Sequence, residues 1–328
     1  MTVIDFANPP GILVLMGLPA SGKSTLALQW VARDPANRMR VNYDEMRETL
    51  YGPGWKFNRA QEASMKAEAF RQAKSWIDAN PYEHSVVVDN LNLTEGARKP
   101  WLDLARSLNV PVDVHEMDTN MNDCVRQDRY RQKRVGEAVI NRWALRTGWI
   151  DWTDYKNKFM VVDVDGTLAN TDHRQQFVRP PEDWHDCPEP ILQHGVCSAC
   201  HKLNPKHYKW KKDWLGFFKG VADDKPITPI MDIVTELALN YHLIIVSGRP
   251  LDLCGKQTED WLRKWKVPYE FLFMRDGGDS RADTIVKQEI LEYLPKDRIA
   301  FVLDDRDSVV KMWRDNGLTC LQVAPGDF

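Results

Sequence analysis

Two short runs in this 328-residue chain set phosphate-handling groups at fixed spacing. In Gly17-Leu18-Pro19-Ala20-Ser21-Gly22-Lys23-Ser24, glycines frame a turn that ends in a lysine and a hydroxyl. Such a turn can aim backbone N–H groups at phosphate oxygens, and the positive end of a following helix adds to the attraction. In Asp163-Val164-Asp165-Gly166-Thr167-Leu168, two carboxylates stand two residues apart. One can attack phosphorus while the other moves a proton to and from the leaving oxygen.

These residues need rigid elements beneath them, and the hydropathy pattern supplies candidates. Apolar runs at Ile12–Met16, Met39–Asn42, Ser85–Val88 and Val110–Val114 predict buried strands, with helices over Lys23–Ala32, Ala60–Ile77 and Thr94–Leu108. A second series predicts strands at Phe159–Val162, Leu243–Val246, Glu270–Phe273, Ile299–Leu303 and Cys320–Val323. Helices at Thr258–Trp265, Thr284–Tyr293 and Ser308–Asn316 lie between them. Alternation of this kind predicts an α/β protein with parallel sheets. The length suits two domains, 1–150 and 151–328, with the boundary in the polar and aromatic stretch Thr147–Lys158. The fold class expected is therefore an N-terminal parallel sheet of the P-loop NTPase type, followed by a C-terminal Rossmann-like sheet.

Composition bounds the rest. A net charge of −3 gives no global attraction for polyanions, so any such contact must be local. No run approaches the length of a membrane span, and the first ten residues lack a signal-peptide pattern. A cytoplasmic setting without membrane association is expected, in which six cysteines serve as thiols or metal ligands. Most of the 13 tryptophans are expected in the core.

The first run satisfies the P-loop pattern GxxxxGK(S/T) in its required place, between a strand and a helix. Gly17, Ser21, Gly22, Lys23, Ser24 and Thr25 are accordingly expected to bind ATP, with Lys23 on the β- and γ-phosphates and Ser24 on Mg²⁺. Asp44 follows the second strand, where it could accept the proton of an attacking hydroxyl or cap the helix beginning there. Arg47 could hold a substrate phosphate, and Asp89 occupies an equivalent crevice-facing position after the third strand. The basic stretch Arg126–Arg146 fits a helical lid as well as a solvated face. Arg134, just before Val135-Gly136, is the residue in it placed to reach a phosphoryl group.

The second run resembles the first motif, DxDGT(L/V), of the haloacid dehalogenase-like phosphohydrolases. Their later motifs follow in order at Ser247-Gly248-Arg249, Lys287 and Asp304-Asp305. The resemblance implies Asp163 as nucleophile, Asp165 as acid and base, and Ser247 and Lys287 as phosphate holders. It also implies Mg²⁺ on Asp163, Asp304, Asp305 and the main chain of Asp165.

Taken in sequence, both halves resemble the polynucleotide kinase-phosphatases of bacteriophages. Asn42-Tyr43-Asp44-Glu45-Met46-Arg47, Asp89-Asn90-Leu91-Asn92-Leu93 and Lys133-Arg134-Val135-Gly136 are similar to the kinase's substrate, DTNLN and lid segments. This implies Asp44 as general base, Arg47 on the acceptor's 3′-phosphate, Asp89 at the acceptor site and Arg134 on the ATP phosphates. Arg275, Gly278-Asp279-Ser280-Arg281, Asp283 and Val286-Lys287 resemble the phosphatase's REQGDTRKDDVVK run. Arg174, Arg249 and Arg281 are then implied as substrate contacts. The activity this resemblance implies is phosphorylation of 5′-hydroxyl ends and removal of 3′-phosphates from DNA or RNA, with a ligase as partner, a homo-oligomer as the expected form and a host cytoplasm as the setting if the chain is phage-encoded. The alternative is a small-molecule kinase joined to a metabolite phosphatase. On one small hydroxyl such a pair would run a futile cycle, whereas on opposite ends of a break the two activities cooperate.

The chain departs from that family between about 180 and 225, where it carries an insert expected to form a cap over the phosphatase site. Cys187, Cys197 and Cys200 lie there beside His185, His194, His201 and His207. The CxxC spacing suggests structural Zn²⁺ on Cys187, Cys197, Cys200 and a histidine such as His201. Lys206–Lys212, with Tyr208 and Trp210, could contact a strand by charge and stacking or form a solvated face.

Overall fold

The structure is a computed structural model that describes residues 11–179 and 211–326. The chain divides into two compact units, Met1–Ile150 and Asp151–Phe328.

The first unit runs β1 (Ile12–Met16), α1 (Lys23–Ala32), β2 (Arg38–Val41), α2 (Tyr43–Tyr51), α3 (Arg59–Ala79), β3 (Ser85–Asp89), α4 (Glu95–Leu108), β4 (Val112–Glu116), α5 (Met121–Asp128) and α6 (Glu137–Arg146). Its sheet has the order β2-β3-β1-β4, and every pairing is parallel. Alternate residues of β1 face opposite sides of the sheet. Ile12 and Val14 pack with Ala73, Ile77 and Trp101 from α3 and α4, while Leu13 and Leu15 pack with Ala27 and Trp30 from α1. Both faces are covered, which explains why β1 and β3 read as unbroken apolar runs.

The second unit runs β5 (Phe159–Val162), β6 (Ala169–Asn170), α7 (Trp214–Lys219), β7 (Lys225–Pro226), α8 (Thr228–Leu237), β8 (His242–Pro250), α9 (Leu251–Lys264), β9 (Phe271–Arg275), α10 (Asp283–Leu291), β10 (Ile299–Asp304), α11 (Asp307–Asp315) and β11 (Cys320–Gln322). Its main sheet is also parallel, in the order β11-β10-β5-β8-β9. Strands β6 and β7 form a small antiparallel ribbon.

In each sheet the chain reverses its direction of travel beside the first strand, between β1 and β3 and between β5 and β10. The crevice at the C-terminal ends of such strand pairs is where ligands bind in open α/β sheets. The glycine turn and Asp89 follow one pair, and Asp163 and Asp304 follow the other.

Two element bounds need correction, at β4 and α9. The basic stretch Arg126–Arg146 is interrupted at a segment that includes Val135-Gly136, where the sequence also placed a break. It breaks between α5 and α6 because buried Asp128 accepts hydrogen bonds from Val135 N (3.1 Å) and Gly136 N (2.9 Å), and Gly136 takes φ 94°. Strand β4 starts two residues late, after Asn109 in a left-handed conformation closes α4. Helix α9 begins at Leu251 rather than Thr258, because Gly255 and a kink at Cys254 hide its first turns from a periodicity reading. Among the described residues no helix is long and apolar enough to cross a membrane. The insert residues Cys187, Cys197, Cys200 and His201, and the 206–210 part of the basic stretch, lie outside the described residues. Of the described tryptophans, Trp30, Trp101, Trp261 and Trp313 are fully buried, whereas the others are partly or well exposed, so fewer lie in the core than expected.

Arg298 ties the opening segment of the second unit to the start of β10. Its guanidinium donates to the carbonyls of Trp152 and Tyr155, and to that of Asn157 at 2.9 Å. Replacing it strands three carbonyls, each hydrogen bond to a charged donor contributing about 1.5–3 kcal/mol. Arg298→Ala should therefore lower the unfolding free energy of this unit by roughly 2–4 kcal/mol, with the denaturant midpoint of its transition as the readout.

Candidate functional site

In the first unit the turn from β1 into α1 is shaped by backbone constraints. Gly22 takes φ 92° and Ala20 φ 61°, both in the left-handed region. A Cβ on Gly17 would lie 2.7 Å from Ser21 Oγ and 3.0 Å from Met117 Cβ, so the turn closes only with glycine there. Lys23, at the start of α1, curls back over the turn. Its Nζ donates to the carbonyls of Gly17 (2.8 Å) and Leu18 (2.6 Å) and to Ser21 Oγ (3.2 Å). Burial pulls the ammonium down to about 8, with Asp89 opposing that shift. A buried cation held by neutral carbonyls gains strongly from an arriving anion. Ser24 and Thr25 are exposed on the first turn of α1.

Asp89 is buried and does not face Asp44. It accepts from Arg40 Nε (2.9 Å) and Nη2 (2.6 Å) and from Asn42 Nδ2 (3.1 Å). Asn42 also caps α2, its side chain accepting from Glu45 N, so Asp44 is not the cap. That leaves the Asp44 carboxylate exposed on the first turn of α2, bonded to Arg47 Nη1 at 2.5 Å. Arg47 is itself held by Glu62 through a paired contact of 2.8 and 2.9 Å. Asp44, Arg47, Lys133, Trp55 and Phe57 line one cleft of about 600 Å³. Arg134 is exposed in the turn that Asp128 holds. Sequence reading brought Asp44 and Arg47 together but missed that Glu62 fixes Arg47 and that Arg40 and Asn42 fix Asp89.

In the second unit Asp163, at the end of β5, meets Asp304 and Asp305, at and just past the end of β10. Their carboxylate oxygens lie within 4.8 Å of one another, and all three residues are buried. Lys287 reaches in from α10, donating to Asp163 Oδ1 (2.8 Å) and Asp304 Oδ2 (2.8 Å). Trp313 Nε1 adds a bond to Asp304 Oδ2 at 3.2 Å. Burial pushes the Asp163 carboxyl well above its usual range, with Lys287 opposing and the two neighbouring carboxylates reinforcing. Burial and Asp304 raise Asp305 to about 7. One ammonium against three carboxylates leaves a deficit of positive charge that a divalent cation fits. The Thr167 hydroxyl, buried in the loop after Asp163, has no hydrogen-bond partner among the described residues. A Cβ on Gly166 would stand 2.1 Å from Asp305 Oδ2, so glycine is required for the loop to pass the acidic cluster.

The carboxylate of Asp165 belongs to a different set. It accepts from Arg174 Nη2 (2.6 Å) and from Arg249 Nη2 (2.5 Å) and Nε (2.9 Å). Burial alone would raise it, but the two guanidiniums outweigh burial and hold it at about 2. Asp224, fully buried, accepts from Arg174 Nε (2.7 Å) and Nη2 (2.8 Å) and from Arg249 Nη2 (2.6 Å). Phe217 packs on the Arg174 guanidinium at 4.0 Å. Sequence reading missed Asp224, because nothing in Asp223-Asp224-Lys225 marks which carboxylate turns inward. Ser247 ends the straight part of β8, its Oγ accepting from Arg249 N at 3.3 Å. Arg281 stands apart from the carboxylate cluster, paired with Asp279 (2.8 Å) and Glu289 (2.5 Å) at the rim of a pocket of about 420 Å³ that also opens on Asp163 and Lys287. Asp283, clamped between Arg275 and Arg306, closes another side of it.

Two nested features define the class of the second unit: a buried aspartate–lysine–aspartate centre at adjacent parallel strand ends, and a second aspartate two residues on in an arginine clamp. Residues 217–328 match the sequence profile of the polynucleotide kinase PNKP phosphatase domain, and residues 12–147 match that of an AAA domain. The second unit thus carries the likeness to a polynucleotide kinase PNKP phosphatase domain, and the first the likeness to an AAA domain. It is 24% identical over 326 residues to a putative bifunctional polynucleotide kinase/RNA ligase of Autographa californica nuclear polyhedrosis virus, covering 95% of this chain and 42% of that protein. It is 29% identical over 166 residues to a bifunctional polynucleotide phosphatase/kinase of Schizosaccharomyces pombe, covering 49% of this chain and 32% of the relative. The chain thus spans less than half the length of these curated relatives. Among solved structures, a chain of a Pnkp1/Rnl/Hen1 complex is 22% identical, with 97% of this chain and 98% of that one covered and a TM-score of 0.37. Kinase and phosphatase domains of these kinds use ATP and a divalent metal.

Removing Asp224 would leave two buried guanidiniums facing the single carboxylate of Asp165. Breaking a buried ion pair from one side costs about 3–5 kcal/mol. Asp224→Ala should lower stability by that order, as read by urea unfolding, and Asp224→Glu should restore only part of it because its longer arm overfills a closed site.

Proposed function

We propose that this protein heals broken nucleic-acid ends, the first unit phosphorylating 5′-hydroxyls from ATP and the second removing 3′-phosphates. The observation that carries this reading is the presence, on one chain, of a match to a PNKP phosphatase domain and a glycine turn whose buried lysine rests on the turn's own carbonyls. The motif runs favour the bacteriophage branch of the family and a cytoplasmic setting. The substrate ends are those of DNA or RNA, and the products suit a ligase, with a homo-oligomer as the working form.

In the first unit the Gly17–Gly22 backbone and Lys23 hold the ATP phosphates, with Ser21, Ser24 and Thr25 lining the turn. Lys23 exchanges its carbonyl partners for phosphate oxygens. Asp44 takes the proton from the attacking hydroxyl, and Arg47 presents that hydroxyl's strand through a phosphate. Arg134, from the turn pinned by Asp128, steadies the charge of the transferring group. Asp89 keeps Arg40 and Asn42 in place beneath the acceptor.

In the second unit Asp163 attacks phosphorus and carries the phosphoryl group as an acyl phosphate. Asp165 gives a proton to the leaving oxygen and then takes one from water. Ser247 and Lys287 hold the equatorial oxygens. Arg174, Arg249 and Arg281 draw the substrate in by charge. Mg²⁺ on Asp163, Asp304, Asp305 and the Asp165 main chain, with Ser24 serving the first unit, would neutralise the clustered anions. Structural Zn²⁺ on Cys187, Cys197, Cys200 and His201 stays part of this reading, supported by the ligand spacing alone.

The test uses two oligonucleotides, one with a 5′-hydroxyl offered labelled ATP and one with a 3′-phosphate monitored for phosphate release. Lys23→Ala should reduce only the first activity, and Asp163→Asn only the second, each by a factor of at least about 10³. Loss of both activities from either substitution in a folded protein rules out two separate sites. Brisk turnover of free sugars or nucleosides, with oligonucleotides ignored, would instead favour the small-molecule alternative.

A further inference from the structure

We propose that Phe57 and Trp55 form a stacking platform for the terminal nucleobase of the strand whose 5′-hydroxyl is phosphorylated. The inference rests on the kinase reading of the first unit and adds to it the group that recognises the strand.

The segment between α2 and α3 turns at Gly52 (φ 84°) and Gly54 (φ 80°) and then presents two aromatic rings. Phe57 is 76% exposed. A lone exposed apolar side chain needs no explanation, but this one is not alone. Its ring meets Trp55 edge-on at 6.1 Å, and Trp55 stacks on Tyr51 at 5.8 Å. Gln61, on α3, locks the stack from below. Its Oε1 accepts from Trp55 Nε1 at 2.6 Å, and its carbonyl accepts from Tyr51 Oη at 2.8 Å. One hydrogen bond and a stacked neighbour hold Trp55 in place, and the second hydrogen bond holds that neighbour, Tyr51.

The platform is continuous with the chemistry. The Arg47 guanidinium lies 5.9 Å from the Trp55 ring centre and bonds the Asp44 carboxylate. Both rings line the same cleft of about 600 Å³ as Asp44, Arg47 and Lys133. That volume sits within the range of small-ligand sites, roughly 300–1,000 Å³, and accommodates a nucleotide. The cleft offers cations for phosphates, a carboxylate for the hydroxyl proton and aromatic faces for a base. Nucleobases are the part of an acceptor strand that gains from such faces, and stacking accepts any of the four.

The experiment compares two 5′-hydroxyl oligonucleotides, one intact and one lacking the base on its terminal nucleotide. Base–aromatic stacking of about 1–3 kcal/mol predicts a KM preference for the intact end of roughly fivefold to a hundredfold in the wild type. Phe57→Leu keeps apolar bulk but removes the ring face, so that preference should fall to within about twofold, while Phe57→Trp should retain it. An undiminished preference in Phe57→Leu, or none in the wild type, overturns the platform while leaving the kinase reading intact. A wild type that phosphorylates neither oligonucleotide removes the kinase reading, and the platform with it.

Discussion

Three carboxylates crowded out of water at the ends of two adjacent strands are the constraint around which the second unit is built. Asp163, Asp304 and Asp305 would repel one another strongly in a low-dielectric interior if each carried its charge. Lys287 relieves part of that repulsion by bonding two of them at 2.8 Å each. The rest explains other choices nearby. Gly166 lets the loop pass Asp305, and Trp313, itself fully buried on α11, spends its only donor on Asp304. Such an arrangement is unfavourable for stability alone, which fits the proposed role of these carboxylates in holding a cation beside a phosphoryl group.

Next to this anionic excess stands a balanced quartet. Arg174 and Arg249 carry two positive charges, and Asp165 and Asp224 two negative ones, with bonds between every arginine and both aspartates. The balance is not symmetrical in position. Asp224 is sealed from solvent, whereas the Asp165 side chain keeps 18% of its surface exposed. An incoming phosphate can therefore compete for the guanidiniums only on the Asp165 side. Asp224 would hold the arginines in place while Asp165 is released to exchange a proton. Buried salt bridges contribute little net stability, so the reason for this one lies in geometry.

Much of this was legible in the sequence, and the reason is physical. Groups that act on phosphate sit directly after parallel strands, and those strands are apolar on both faces, so the strand ends and the reactive residues announce each other. Asp163, Ser247 and Asp304 stand where an apolar run stops, and Lys23 and Asp44 open the helices that follow β1 and β2. What failed to show was everything that acts through a third dimension. Asp224 lies 50 residues from Arg174, Arg40 lies 49 from Asp89, and Glu62 lies 15 from Arg47. No local pattern links such pairs. The break at Val135-Gly136 was legible from its glycine, but the buried Asp128 carboxylate that turns back to hold it was not.

The two units show two solutions to one problem, the capture of an anion by a protein whose net charge is −3. The first relies on backbone. Its turn is shaped by Gly17 and Gly22, and its buried Lys23 ammonium rests on the neutral carbonyls of Gly17 and Leu18. The second relies on side chains, and its fixed charges come in compensating sets. Backbone donors are neutral, so they can be gathered without a partner, whereas buried guanidiniums and carboxylates must be assembled together or not at all. That difference accounts for where sequence reading succeeded. A backbone cradle is written in consecutive residues, but a compensated charge network is dispersed across the chain and becomes visible only when the fold closes around it.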